Sequence, residues 1–128
     1  MKQNTNVRFA QTNGIVQGEI NETSATAYID ISEKSLNLYG IIHGGLLFSL
    51  ADNTAGMCAK YNNEPYVTLQ ANINYLEAIS EGRITATANL IRRGGTTCVV
   101  DVDIVSETNR LLAKGTFTMY RLPRSTQK

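Results

Sequence analysis

The 128-residue chain has no tryptophan, one histidine (His43), two prolines and two cysteines. No run of apolar residues exceeds three. A membrane span needs about 20 apolar residues and a secretory signal core roughly 7–15, so neither is expected. Cys58 and Cys98 stand 40 positions apart among apolar or small neighbours and form no Cys-x-x-Cys pair. They read as two buried free thiols in a reducing cytoplasm. With a single histidine beside them they fall short of a zinc shell of nitrogen and sulfur ligands, so no metal site is expected. Neither sign of charge prevails, with 12 Lys and Arg against 11 Asp and Glu. A net charge of +1 carries no electrostatic footprint for nucleic acid or a membrane surface.

What is present is an ordinary globular mixture, 42% hydrophobic and 18% charged, in 14.0 kDa. A chain of this size buries about two-thirds of its unfolded surface, enough for a core without disulfides. No repeat, linker or low-complexity stretch divides it, so residues 1–128 are expected to form one domain. The polar ends, Met1–Asn6 and Pro123–Lys128, are expected to be mobile.

The hydrophobic period changes along the chain. Ile15–Ile20 and Thr23–Ile31 read as two short strands, with Asn21-Glu22 as their hairpin turn. Ser32–Gly40 is polar and loop-like. Gly44–Lys60 lacks proline and repeats apolar residues at 47, 50, 51, 55 and 58, which is helical spacing. Leu46, Phe48, Met57 and Ala59 fill much of the remaining circumference, so this helix should be covered nearly all round. Asn62-Asn63-Glu64-Pro65 stops it. Alternating segments follow. Val67, Leu69, Ala71, Ile73 and Tyr75 are expected on one face, as are Ile84, Ala86, Ala88 and Leu90 in the next segment. Cys98–Val105 and Leu111–Tyr120 complete the set. Short turn-rich connections make neighbouring strands antiparallel. The expected class is α+β, one long central helix wrapped by a curved antiparallel sheet of five or six strands. Apolar, β-branched edge strands favour side-by-side pairing with a second copy.

Three features near the helix start bear on chemistry. His43-Gly44-Gly45 opens the helix, and glycines there let a backbone or a ligand approach closely. Free N–H groups at the positive dipole end suit a carbonyl oxygen gaining charge, although tight packing on the sheet explains the glycines equally well. Asp52 lies in an otherwise apolar helix. A buried carboxylate must be paired, hydrogen-bonded or turned to a polar pocket, whether as a working group or as a satisfied structural one. His43 has no cysteine, serine or carboxylate at dyad spacing and reads as a helix-start residue bonded to its neighbours. Gly44 and Asp52 are eight residues apart, about 12 Å along a helix. Both groups can act on one substrate only if two subunits contribute them, from antiparallel helices.

With these residues the chain resembles the hotdog-fold acyl-CoA thioesterases of the phenylacetate-pathway and thioesterase-superfamily type, over about residues 14–121. The match lies in Asn37, His43-Gly44-Gly45, Leu50-Ala51-Asp52, Val67-Thr68-Leu69, Asn72–Tyr75, Arg92-Arg93-Gly94 and Ala113–Thr116. The resemblance implies hydrolysis of a small aromatic or medium-chain acyl-CoA to free acid and coenzyme A, with no further cofactor and no metal. It implies that the Asn37 side chain and the Gly44 N–H, with His43 beside them, polarise the thioester carbonyl. Asp52 of the partner subunit then acts as nucleophile or as base on water, positioned by Thr68. Gly45, Arg92, Arg93 and the Gly94-Gly95-Thr96 turn are implied to meet the CoA moiety, its phosphates above all, where arginines and turn N–H groups suit phosphate. A solvated hairpin with two surface arginines is the plainer reading of that turn. The family assembles as homodimers or dimer-of-dimers tetramers, with sites at the dimer interface. Where the family often carries a basic residue and a proline after Tyr75-Leu76, this chain has Glu77-Ala78-Ile79.

Two other functions compete. One is an inert acyl-CoA-binding hotdog protein, against which the joint presence of Asn37, Asp52 and Thr68 argues. The other is a hotdog hydratase or dehydratase, but the Phe-Pro histidine loop and the close Asp–His spacing of those enzymes are absent.

Overall fold

A computed structural model describes residues 8–60 and 63–123. The chain ends expected to be mobile fall outside these residues, apart from Pro123, and so does Asn62 of the helix stop. In order, the elements are α1 (Arg8–Thr12), β1 (Val16–Ile20), β2 (Ser24–Asp30), α2 (Gly44–Ala59), β3 (Tyr66–Tyr75), β4 (Arg83–Arg93), β5 (Thr97–Ser106) and β6 (Leu111–Arg121). One six-stranded antiparallel sheet has the order β1-β2-β4-β5-β6-β3, so β1 and β3 are its edges.

The predicted hairpin turn is locked by Asn21, whose Oδ1 accepts from the Thr23 and Ser24 N–H groups and the Ser24 hydroxyl. In β2, Ala25, Ala27 and Ile29 are buried, and they face Ile84, Ala86 and Ala88 of β4 in register. In β5 the buried set is Cys98, Val100, Val102 and Ile104. These small and branched side chains form the concave face on which α2 lies. The helix buries Leu47, Leu50, Ala51, Ala55, Met57 and Cys58. The two leucines contribute about 1.5–3 kcal/mol each on burial. Phe48 packs on Phe117 with ring centroids 5.6 Å apart. From Leu46 to Ala59 no helix residue is fully exposed, as its composition predicts. Buried Thr54 satisfies its hydroxyl on the Leu50 carbonyl at 2.6 Å.

Three local features depart from expectation. The loop after β2 contains a short 3-10 turn, Glu33–Ser35, and α1 has no counterpart in the periodicity. The third is a set of breaks in strand register, four among the described residues of the sheet, of which the β-bulges in β3 and β4 bear on the site. Strict alternation puts Val67 and Leu69 on the face of Ala71, Ile73 and Tyr75. In the structure the register slips between Thr68 and Gln70, so Thr68 pairs with buried Met119 while Ala71 pairs with buried Phe117. Leu69 is extruded and 62% exposed, and Thr68 turns to the helix side. The same device recurs in β4. A slip between Leu90 and Arg92 leaves Ile91 62% exposed and pairs Arg93 with buried Cys98, which turns Arg93 inward.

Candidate active site

The helix start is built by the loop before it. Leu36 bridges to Ile42, the Asn37 N–H donates to the Ile41 carbonyl, and His43 N–H donates to the Ser35 carbonyl. The Ile42 N–H is tied to the Ile79 carbonyl beyond β3. Inside this loop the Asn37 side-chain oxygen accepts from the Tyr39 N–H at 2.9 Å and the Ile41 N–H at 3.3 Å. Its amide NH₂ has no acceptor among the described residues and remains a free donor.

His43 is the N-cap of α2. Its Nδ1 accepts from the Gly45 N–H at 2.8 Å, which places the proton of the neutral ring on Nε2. Gly45 is needed for this cap, because a Cβ there would lie 2.9 Å from the imidazole. The Leu46 and Leu47 N–H groups both donate to the His43 carbonyl. Of the first-turn amides only that of Gly44 is left without an acceptor among the described residues. It stands at the positive end of a 16-residue helix.

Asp52 is half-buried and lies two turns further on. Thr68, turned inward by the Leu69 bulge, donates its hydroxyl to Asp52 Oδ1 at 2.6 Å. The second carboxylate oxygen has no partner among the described residues. Asp52 and Thr68 face an open cavity of about 670 Å³ between the two sheet edges. Its walls combine Ala10 of α1, Ile15, Val16, Met57 and Val67 with the polar side chains of Gln11, Gln17, Asn53 and Lys60. Asp52 is therefore both hydrogen-bonded and turned to a pocket.

The β4–β5 turn lies at the other end of α2 from Gly44. Arg93 Nη1 donates to the Ala59 carbonyl at 2.9 Å and to the Tyr66 hydroxyl at 3.1 Å, so it caps the C-terminus of α2. Arg93 is thus not a fully solvated surface arginine; Arg92 is the exposed member of the pair. In the turn, the Gly95 carbonyl accepts from the Arg121 guanidinium at 2.8 Å and the Thr96 carbonyl from the Arg121 N–H at 2.7 Å. Arg121 is a basic residue at this site that the sequence pattern did not single out. Glu77, at the position where the family often has a basic residue, forms an ion pair with Arg110 of the β5–β6 turn.

Within one chain the structure thus brings Asp52 to Thr68, and it holds Asn37 in the loop that leads through the Leu36–Ile42 bridge into His43 and Gly44. The two groups stay about 12 Å apart along α2. Among the described residues no three His, Cys, Asp or Glu side chains gather as a metal site, and no helix is long and apolar enough to cross a membrane.

Comparison with known proteins bears on the fold and the class of reaction. Residues 39–113, more than half of the chain, match the family model of the thioesterase superfamily. A 1,4-dihydroxy-2-naphthoyl-CoA hydrolase of Listeria monocytogenes is 32% identical over 105 residues, 80% of this chain and 85% of that protein. The Escherichia coli PaaI protein of the phenylacetic acid degradation operon superposes with a TM-score of 0.90 at 26% identity, covering 95% of this chain and 89% of that one. A hypothetical thioesterase of Streptococcus pneumoniae TIGR4, solved with coenzyme A, superposes with a TM-score of 0.80 at 35% identity, covering 84% and 87%. Solved variants of that protein replace an aspartate and, separately, a threonine 16 positions further on with alanine, the same interval that separates Asp52 from Thr68. The chain belongs to the thioesterase superfamily and is a thioester hydrolase of the hotdog fold.

Proposed function

We propose that the chain hydrolyses a small aromatic or medium-chain acyl-CoA to the free acid and coenzyme A. The observation that carries this reading is the Asp52 carboxylate, held at one oxygen by Thr68 and turned into a cavity of mixed apolar and polar walls. The free Asp52 oxygen attacks the thioester carbon or takes a proton from the water that does. The carbonyl oxygen gains charge against the Gly44 N–H and the Asn37 amide. The C–S bond then breaks and the thiolate leaves with a proton; where Asp52 attacked, water next cleaves the acyl–Asp52 anhydride and frees the carboxylate, and where water attacked, its oxygen is already in the acid. Donors of this kind are worth about 10²–10³-fold in rate each.

The two halves of the site come from different subunits. Edge strand β3 is exposed along most of its length, with Val67 and Leu69 open to solvent. Such an edge invites pairing with its own copy. A two-fold axis across the middle of β3 sets the two α2 helices antiparallel. Asp52 and Thr68 of one subunit then come beside Asn37 and Gly44 of the other, twice per dimer. Arg92 and the Gly94-Gly95-Thr96 turn, beside Arg121, receive the CoA phosphates. The CoA-bound pneumococcal relative and the naphthoyl-CoA hydrolase support a CoA thioester as the substrate. A hydratase reading would use His43 as base, and its Nδ1 is occupied by the helix cap.

The test is thiol release from a panel of aromatic and aliphatic acyl-CoAs, wild type beside Asp52→Ala. Release by wild type alone, with CoA binding retained in the variant, is expected. Equal release by both proteins overturns the role of Asp52. No release from any acyl-CoA, with CoA still bound, favours an inert binder.

A further inference from the structure

The free Gly44 N–H has a neighbour that the reading above leaves without a task. Tyr75 ends β3, and its ring lies against Gly44. A Cβ built on Gly44 would sit 3.7 Å from Cζ of Tyr75 and 3.9 Å from each Cε. The face of the ring, at its Cζ end, therefore lies over the residue that carries the unpartnered amide. The ring is 50% exposed, so it is not a core filler. Its hydroxyl has no hydrogen-bond partner among the described residues. Backbone on both sides fixes it. Tyr75 pairs with Ala113 of β6, and the next two N–H groups, of Leu76 and Glu77, both donate to the Leu112 carbonyl.

We propose that Tyr75 is a further catalytic residue, whose phenol donates a hydrogen bond to the thioester carbonyl oxygen bound by the Gly44 N–H. This rests on the reading of Gly44 as an oxyanion donor. The phenol is carried on the ring that packs on Gly44, and with no protein partner among the described residues it can turn from solvent to an oxygen held at that amide. Partial burial holds the phenol above its ordinary pKa, so it stays a donor across the working range of pH. A neutral donor aimed at developing negative charge is strengthened most in the transition state.

Tyr75→Phe separates this from a packing role, because it keeps the ring and removes only an unbonded hydroxyl. Expected are a fall in kcat of about 10–100-fold, an unchanged KM and an unchanged Tm. An unaltered kcat overturns the proposal. A second readout uses an acyl-CoA analogue with CH₂ in place of the sulfur, a ketone that cannot be hydrolysed. Its carbonyl stretch, measured by infrared spectroscopy while bound, should rise in frequency in Tyr75→Phe; an identical frequency in both proteins counts against the phenol. The two readings fail differently. If wild type is active, Asp52→Ala is dead and Tyr75→Phe is as fast as wild type, only the tyrosine is misassigned. If wild type neither cleaves acyl-CoAs nor binds the ketone, the thioester site itself is wrong, and the role of Tyr75 falls with it.

Discussion

Thr68 Oγ donates to Asp52 Oδ1 at 2.6 Å, and it can do so only because Leu69 is bulged out of β3. With the regular two-residue period, Thr68 would point to the opposite face of the sheet from Ala71 and away from α2. The bond fixes one carboxylate oxygen and leaves the other free. Thr68→Val keeps the branched shape and removes the donor. Its kcat for acyl-CoA hydrolysis should fall at least about 10-fold, as for loss of a hydrogen bond to a charged group. Thr68→Ser should return to within a few-fold of wild type. In the double variant with Asp52→Ala, Thr68→Val should add almost nothing, because both act through one carboxylate.

The separation between Gly44 and Asp52 leads to a complementation experiment. Asn37→Ala and Asp52→Ala should each be nearly inactive as homodimers. Unfolding and refolding the two together produces mixed dimers, in which one of the two sites has both groups intact. Random mixing makes half of the dimers mixed, so activity should recover to about a quarter of wild type. No recovery, with mixed dimers demonstrated by mass spectrometry, would place both halves of the site within one subunit.

Arg92 and Arg93 are neighbours with opposite expectations. Arg93 is spent on the Ala59 carbonyl and the Tyr66 hydroxyl at the end of α2. Arg93→Met should cost about 1–3 kcal/mol, because a helix-end carbonyl loses a charged donor. Thermal melting should show this as a Tm lower by several degrees. Arg92 is exposed, and Arg92→Met should leave Tm unchanged and raise KM for acyl-CoA. Should Arg93→Met instead raise KM at constant Tm, the capping role would be secondary.

Much of this was legible in the chain. The period-3.6 stretch from Gly44, the alternation in β2 and β5 and the turns at Asn21, Gly94-Gly95 and Asn109 all appear where the pattern puts them. Asn109 adopts a φ of 67°, a conformation asparagine tolerates. Asp52 stood out because a carboxylate is costly on an apolar helix, and it is satisfied as that cost requires. The two bulges were not legible. Leu69 and Ile91 are as strand-prone as their neighbours, and nothing local marks either as the extra residue; the partner strand decides the register. Yet these two of the sheet's four register breaks aim Thr68 at the helix and turn Arg93 to its end. Tyr75 was visible only as part of a matching motif, since its relation to Gly44 depends on how β3 crosses the start of the helix.

The two cysteines carry a prediction about pH. Cys58 and Cys98 are both free and buried. Burial, with Cys98 nearby, pushes the Cys58 thiol up to about 11, and burial raises Cys98 as well. A thiol that holds its proton more tightly when folded stabilises the native state below the unfolded value near 9. That contribution is lost as pH rises from there towards 11, because the unfolded thiol ionises first. Stability to urea should therefore decline over this window in wild type and decline less in Cys58→Ala. At pH 8 the folded protein should leave an aromatic disulfide reagent unreacted, and denaturant should release both thiols at once. Fast reaction of one thiol in the native state would mean that a cysteine is reachable from solvent, and the alkaline decline should then be absent.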